Sequence, residues 1–147
     1  MSKTPYQIAL EELSAHVAEI PGPKSNPRVL EYFKHTSLGK VKDDSTTPWC
    51  AAFVNFCVVT AGLKGTNSAG ARSFLKWGVP VKDPKVGDIV VLRRGTDPSS
   101  GHVGFLADKP GLMWIIILSG NQNDKVCIQK YLRARVLGYR RSKIVVA

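Results

Sequence analysis

Helices in the first half of the chain and short strands in the second predict an α+β fold, with N-terminal helices packed on a C-terminal antiparallel sheet of about five strands. Three observations carry that expectation. An apolar stretch at 50–62 keeps helical spacing, the pattern turns to β-rich segments after Pro80, and the turns between the later segments are too short for crossover helices. The 147 residues fit a single domain over 1–147, with its core expected over about 5–140.

Residues 4–19 (TPYQIALEELSAHVAE) read as a helix, with Thr4 as N-cap and Pro5 at the first helical position. IPGPKSNP (20–27) is a loop of helix breakers, RVLEYFKHT (28–36) a second short helix, and GKVKDDSTTP (39–48) a polar loop. CAAFVNFCVVTAG (50–62) places apolar residues at 50, 53, 54, 57, 58 and 61 and fills most other positions with apolar residues too, so this helix is expected to be central, with Gly62 as its stop. SAGARSFLKWG (68–78) reads as another helix closed by glycine. Strands are expected at 87–94, 102–108, 112–118, 126–132 and 136–141.

Twenty-one basic against eleven acidic residues give a net charge of +10, which favours anionic partners. Much of it falls in KYLRARVLGYRRSK (130–143), which reads equally as a solvated strand face. The apolar run LMWIIIL (112–118) is too short to span a bilayer, and the N-terminus carries Glu11 and Glu12 where a secretion signal would need its apolar stretch. No transmembrane segment is expected, and synthesis in the cytoplasm is. Cys50, Cys57 and Cys127 match no zinc spacing; free thiols are the simplest reading, although a Cys57–Cys127 disulfide is compatible with the sequence.

Cys50 follows Pro48-Trp49 and opens the central helix, where peptide dipoles and free N–H groups favour a thiolate. Cys57, two turns further in, reads as core, and Cys127 as a structural strand residue. A thiol nucleophile needs a base, and of His16, His35 and His102 only His102 stands between a Gly101 turn and a strand. The base needs an acceptor on its far nitrogen. Asn121, in the GNQND turn after the next strand, could supply one, though Gly-Asn is also ordinary turn chemistry.

PWCAAFVNFC, ARSFLKWG, GDIVVL, GHVGF and ILSGNQ, in that order, resemble the CHAP-type and NlpC-type cell-wall hydrolases, papain-like cysteine amidohydrolases and peptidases. The likeness is closest to the small single-domain group with Pro-Trp-Cys-Ala-Ala-Phe-Val-Asn at the nucleophile, and it extends to EIPGPKSNPRVLEY (19–32). The resemblance implies a papain-like fold with Cys50 as nucleophile, His102 as general base and Asn121 as third residue, Gln122 being the weaker candidate for that place. It implies no metal or other cofactor. Asp43 and Asp44 lack the alternation of a calcium loop, and Asp44 and Ser45 lie where a second oxyanion donor would be sought. Trp49, Phe74, Trp77 and Gln122 are candidates to line a substrate groove.

The implied substrate is bacterial peptidoglycan, cut at an amide of its peptide stem, with anionic envelope polymers as further partners of the basic surface. No nucleic-acid partner is expected, and the chain is expected to be a monomer. A bacteriolytic phage endolysin released through a holin fits these features. The alternatives are an amidase effector delivered by a contact-dependent secretion apparatus, a non-catalytic basic module that binds envelope polymer or nucleic acid, and a papain-like acyltransferase.

Overall fold

The computed structural model describes residues 3–19, 26–36, 49–122 and 124–143. Its helices are α1 (Pro5–Ser14), α2 (Pro27–Phe33) and α3 (Cys50–Thr60), followed by a 3₁₀ helix at Ala71–Lys76. Six strands follow: β1 (Val79–Pro80), β2 (Ile89–Arg93), β3 (Gly101–Leu106), β4 (Trp114–Gln122), β5 (Lys125–Leu132) and β6 (Val136–Arg141). They form one antiparallel sheet in the order β1-β6-β2-β3-β4-β5. The α+β architecture with helices first and sheet second is therefore as expected, with β1 an additional two-residue strand.

Helix α1 starts where its cap predicts. The Thr4 hydroxyl accepts the Gln7 N–H while the Gln7 side chain accepts the Thr4 N–H, a reciprocal capping box. It ends at Ser14 rather than at 19. His16 turns the chain at positive φ, and residues 17–19 instead join the edge of the sheet, with the Val126 N–H donating to the Val17 carbonyl and the Glu19 N–H to the Asp124 carbonyl. Asn26 caps α2, which begins at Pro27.

Helix α3 packs on β3 and β4, with α1 and α2 against its other sides. Every residue from Cys50 to Val58 is buried, as its all-round apolar sequence requires. Gly62 ends it at φ +89, with the Leu63 N–H reaching back to the Val58 carbonyl and the Gly62 N–H to Val59, a Schellman closure. Asn55, the one polar residue of this buried run, is satisfied by the Thr66 N–H, the Thr66 hydroxyl and the Ser68 carbonyl. Those bonds hold the 65–68 loop in place. The following helix is confined to a 3₁₀ segment that closes before Gly78, at φ +61.

A buried carboxylate joins the two N-terminal helices. Glu12 receives both ends of the Arg28 guanidinium at 2.6 and 2.8 Å and the Tyr32 hydroxyl at 2.7 Å. Burial alone would raise its pKa, but the hydrogen bonds and charge from Arg28 and Tyr32 outweigh it and hold the carboxyl below its ordinary value.

The sheet has two apolar faces. Ile89, Val91, Val103, Phe105 and Leu118 belong to the core beneath the helices, whereas Val90, Leu92, Leu106, Ile115 and Ile117 form a second cluster. Helix α3 comes so close to β4 that residue 120 has room for no side chain. A Cβ there would lie 2.5 Å from the Trp49 ring and 2.9 Å from Phe53 Cβ. Gly120→Ala is expected to lower stability by about 1–3 kcal/mol through this overpacking. Urea unfolding checks it, and a variant as stable as the wild type would mean that the seat of α3 is not tight.

Candidate active site

Ladder pairing between β3 and β4 is confined to Phe105↔Leu118 and Leu106↔Ile117. Toward Gly101 the two strands part, and the Ser119 hydroxyl spans the gap by donating to the Val103 carbonyl at 2.6 Å. The N–H and C=O of one strand residue point to the same side, so the Val103 N–H also faces the parted edge. The head of α3 brings Cys50 there.

Cys50 and His102 are both buried, 4% and 1% exposed. Burial by itself would raise the Cys50 thiol. The charge and hydrogen bonding of His102, the Val103 backbone and the charge of Arg94 together overcome it and leave the thiol below its ordinary value. Cys57, on the same helix, has burial as its main influence and is pushed well above the usual thiol range. All three cysteines are free, with no disulfide between Cys57 and Cys127.

His102 stands cross-strand from Leu92, on the sheet face opposite α3, and its ring lies against Tyr131 with centroids 5.3 Å apart. Its Nε2 is 2.9 Å from Gln122 Oε1. The orientation of that amide follows from its other contacts. Gln122 Nε2 donates to the Cys127 carbonyl at 2.7 Å and to the Ile117 carbonyl at 3.2 Å, and carbonyls only accept. The oxygen must therefore face His102, and it can accept only from a protonated Nε2. In the neutral ring Nδ1 then carries the lone pair. It is buried, and no hydrogen bond of standard geometry closes on it. A thiol–imidazole contact still open in this way commonly tightens when substrate arrives.

The hydrogen bond expected of Asn121 is thus made by Gln122, and a β-bulge is the reason. Ser119 pairs with Cys127 and Gln122 with Lys125, so β4 uses one residue more than β5 over that interval. Asn121 occupies the bulge at φ +59. Strict alternation from Ile115 and Ile117 would have put residue 121 on the His102 face; the extra residue gives that seat to Gln122.

Two of the groove candidates have no surface to offer. Trp49 is fully buried, its ring stacked on Tyr32 and its indole N–H donating to Glu19 at 2.8 Å, and Phe74 is fully buried beside Trp77. Both follow from the close seating of their helices on the sheet. Trp77 is half-buried, donates to the Lys64 carbonyl, and lines two depressions of about 310 and 540 Å³, neither of which includes Cys50 or His102. Asp43, Asp44 and Ser45 lie outside the described residues. Among the described residues no three His, Cys, Asp or Glu side chains converge as metal ligands, and no helix is long and apolar enough to cross a membrane.

Three contributors carry no sequence signal. Tyr131 packs on the His102 ring with its hydroxyl 3.4 Å from Nε2, and burial together with the charge of Cys127 pushes its pKa up to about 12. Arg94 bears on the thiol only by charge. Arg72 braces the loop leading into β3 by donating to the Ser100 carbonyl at 2.7 Å and to the Asp97 carbonyl at 3.2 Å.

The family model of the CHAP domain matches residues 42–121, more than half of the chain. The chain belongs to the CHAP domain family. That match takes in Cys50, His102 and Asn121 and stops one residue before Gln122. Membership supports peptidoglycan hydrolase activity of the amidase or peptidase kind, generally cysteine-dependent. The curated proteins offer no match to the chain.

A depressed thiol pKa means that the reactive thiolate is present at lower pH than for a free cysteine. Alkylation of Cys50 by iodoacetamide, followed by peptide mass spectrometry, is expected to have its midpoint below the ordinary value of about 8.5. In His102→Ala, burial is opposed only by Val103 and Arg94 and the midpoint should rise, while Cys57 stays unlabelled in both folded proteins. A midpoint unmoved by His102→Ala would remove the imidazole from the account of this thiol.

Proposed function

We propose that the chain hydrolyses an amide bond in the peptide stem of bacterial peptidoglycan, as an endopeptidase or an N-acetylmuramoyl-L-alanine amidase, with Cys50 as nucleophile, His102 as general base and Gln122 as the residue that orients it. The observation that carries the reading is the fixed amide of Gln122. By turning its oxygen to His102 it fixes Nε2 as a donor, so that in the neutral ring Nδ1 is the acceptor, beside a thiol that its surroundings already acidify.

In this mechanism the Cys50 Sγ–H gives its proton to His102 Nδ1 and the sulfur attacks the amide carbonyl carbon. The developing oxyanion is stabilised by N–H groups at the head of α3, which have no acceptor inside the helix; each such donor is typically worth about 3–4 kcal/mol. The C–N bond breaks as the imidazolium protonates the leaving amine. Water then adds to the thioester, giving one proton to His102, and the C–S bond breaks as that proton returns to the sulfur. Gln122 holds the positive imidazole through both halves without exchanging a proton.

As to biological use, the proposal is a lysis enzyme of the phage endolysin type, made in the cytoplasm and acting on the wall after release. The net charge of +10 suits contact with an anionic envelope. A contact-dependent amidase effector would share the chemistry. Its producer would carry an immunity protein that blocks the purified enzyme, whereas an endolysin would need none.

Digestion of purified sacculi with mass spectrometry of the released fragments tests the chemistry. Wild type should create new stem-peptide ends and so name the bond, and Cys50→Ala should create none. Intact sacculi with folded wild type would sink the proposal and leave the basic surface as a binding module. Within the site, Gln122→Leu should lower kcat about 10²-fold with KM little changed, because it releases the tautomer and orientation of the base. Asn121→Ala should change kcat by less than about threefold, its side chain lying off the His102 face. The reverse ranking would return the third place to Asn121.

A further inference from the structure

The loop between β3 and β4 ends in an unusual turn. The Gly111 N–H donates to the Trp114 carbonyl at 3.0 Å, which leaves Leu112 and Met113 as the two residues at the tip. Such positions ordinarily hold Gly, Asn or Asp. Here Leu112 is 99% exposed, Met113 62% and Trp114 41%. Trp114 pairs across the sheet with Leu132, also exposed, and Ile128 is exposed further along the same face of β5. Half of the ten exposed large apolar residues among those described thus lie in one patch, where scattered placement would need no explanation.

The tip is held rigidly. The Arg133 N–H donates to the Met113 carbonyl at 2.8 Å, and the Arg133 guanidinium donates to the Gly111 carbonyl at 2.8 Å. The Lys130 ammonium sits over the Trp114 ring, 4.4 Å from its centroid. The patch holds three cations, Lys109, Lys130 and Arg133, and residues 109–114 and 128–135 contain no carboxylate. Arg135 turns away from it, over the Tyr131 ring and onto the Arg93 carbonyl. Asp108, just before them, accepts the Lys109 N–H.

We infer that this tip is a docking surface for an anionic lipid bilayer, with Leu112 and Met113 entering the acyl boundary, Trp114 at the interface and the three cations on the headgroups. Two features of the patch select that partner. A soluble polyanion would engage the cations but leave Leu112 and Met113 in water, whereas a bilayer surface takes both chemistries at once. A second copy of the chain would bring three cations against three, with no carboxylate in the patch to meet them. The inference does not depend on the hydrolase reading, since none of the patch residues belongs to the proposed catalytic group.

Flotation of the purified full chain with vesicles tests it, comparing phosphatidylglycerol mixed with phosphatidylcholine against phosphatidylcholine alone. Wild type should bind the anionic vesicles and lose binding in about 0.5 M salt. The double variant Leu112→Glu, Met113→Glu should bind them at least about tenfold more weakly, with its unfolding midpoint and Cys50 alkylation unchanged, as expected for exposed positions. Wild type that fails to bind, that binds neutral vesicles equally well, or that binds no better than the variant would overturn the inference. Self-association in sedimentation velocity that the variant abolishes would overturn it too and assign the patch to a second copy.

Discussion

Helix α3 has no polar face, and the arrangement of the molecule follows from that. A helix apolar on every side must be enclosed, so α1 and α2 cover what β3 and β4 leave open. Enclosure fixes the helix in all directions, and Cys50 at its head inherits the precision. The close seat at Gly120 carries this to the chemistry, because Trp49, the residue that fills it, immediately precedes the thiol. Asn55 shows the same demand from the polar side. It is admitted to the buried run only because the 65–68 loop meets its donors and its acceptor.

Two cysteines on one helix separate position from burial. Cys50 and Cys57 are both buried, yet their thiols move in opposite directions from the ordinary value. Desolvation is the largest influence on each and acts the same way on both. What differs is the company: Cys50 has His102, the Val103 backbone and Arg94, while Cys57 has Glu12 pushing it further up and only Arg28 drawing it back. The direction in which each thiol moves is therefore set by what surrounds it, and for Cys50 that is what the sheet presents to the first turn of the helix. The parting of β3 from β4 is what lets the sheet present it.

Where a feature depends on local chemistry, the sequence was a sufficient guide. Thr4-Pro5, Asn26-Pro27 and Gly62 mark helix boundaries through their own caps, and alternating apolar residues locate the strands. Cys50 and His102, chosen on residue type and position, are brought together by the fold. The misses have a common cause, which is tertiary pairing. Residues 15–19 continue a helical composition but are drawn to the sheet edge by Val126 and Asp124. The hydrogen bond to His102 falls to Gln122 rather than Asn121 through a single extra residue in β4, and nothing in GNQND announces where the strand will bulge. Trp49 and Phe74 were candidates for a groove on residue type alone, and the seating of α3 and of the 3₁₀ helix on the sheet needs those rings inside. Tyr131 was illegible for another reason: its partner is twenty-nine residues away and on a non-adjacent strand.

Strand β5 shows how one short stretch serves two surfaces. Side chains alternate across it, so Tyr131 faces the His102 ring while Lys130 and Leu132 stand on the opposite face beside Trp114. β5 is also an edge strand, and its Lys125 end is covered by residues 17–19. An exposed edge bearing Ile128 and Leu132 invites pairing with another chain, and a lysine placed on it is a common guard. Lys130 fulfils that role and at the same time covers the Trp114 ring. The guard explains why the edge can tolerate apolar residues, but it does not account for Leu112 and Met113, which lie beyond the strand and are braced outward by Arg133. Bracing two exposed apolar side chains is structure that the Cys50–His102–Gln122 cluster does not use, and the proposed contact with a bilayer would give it a purpose.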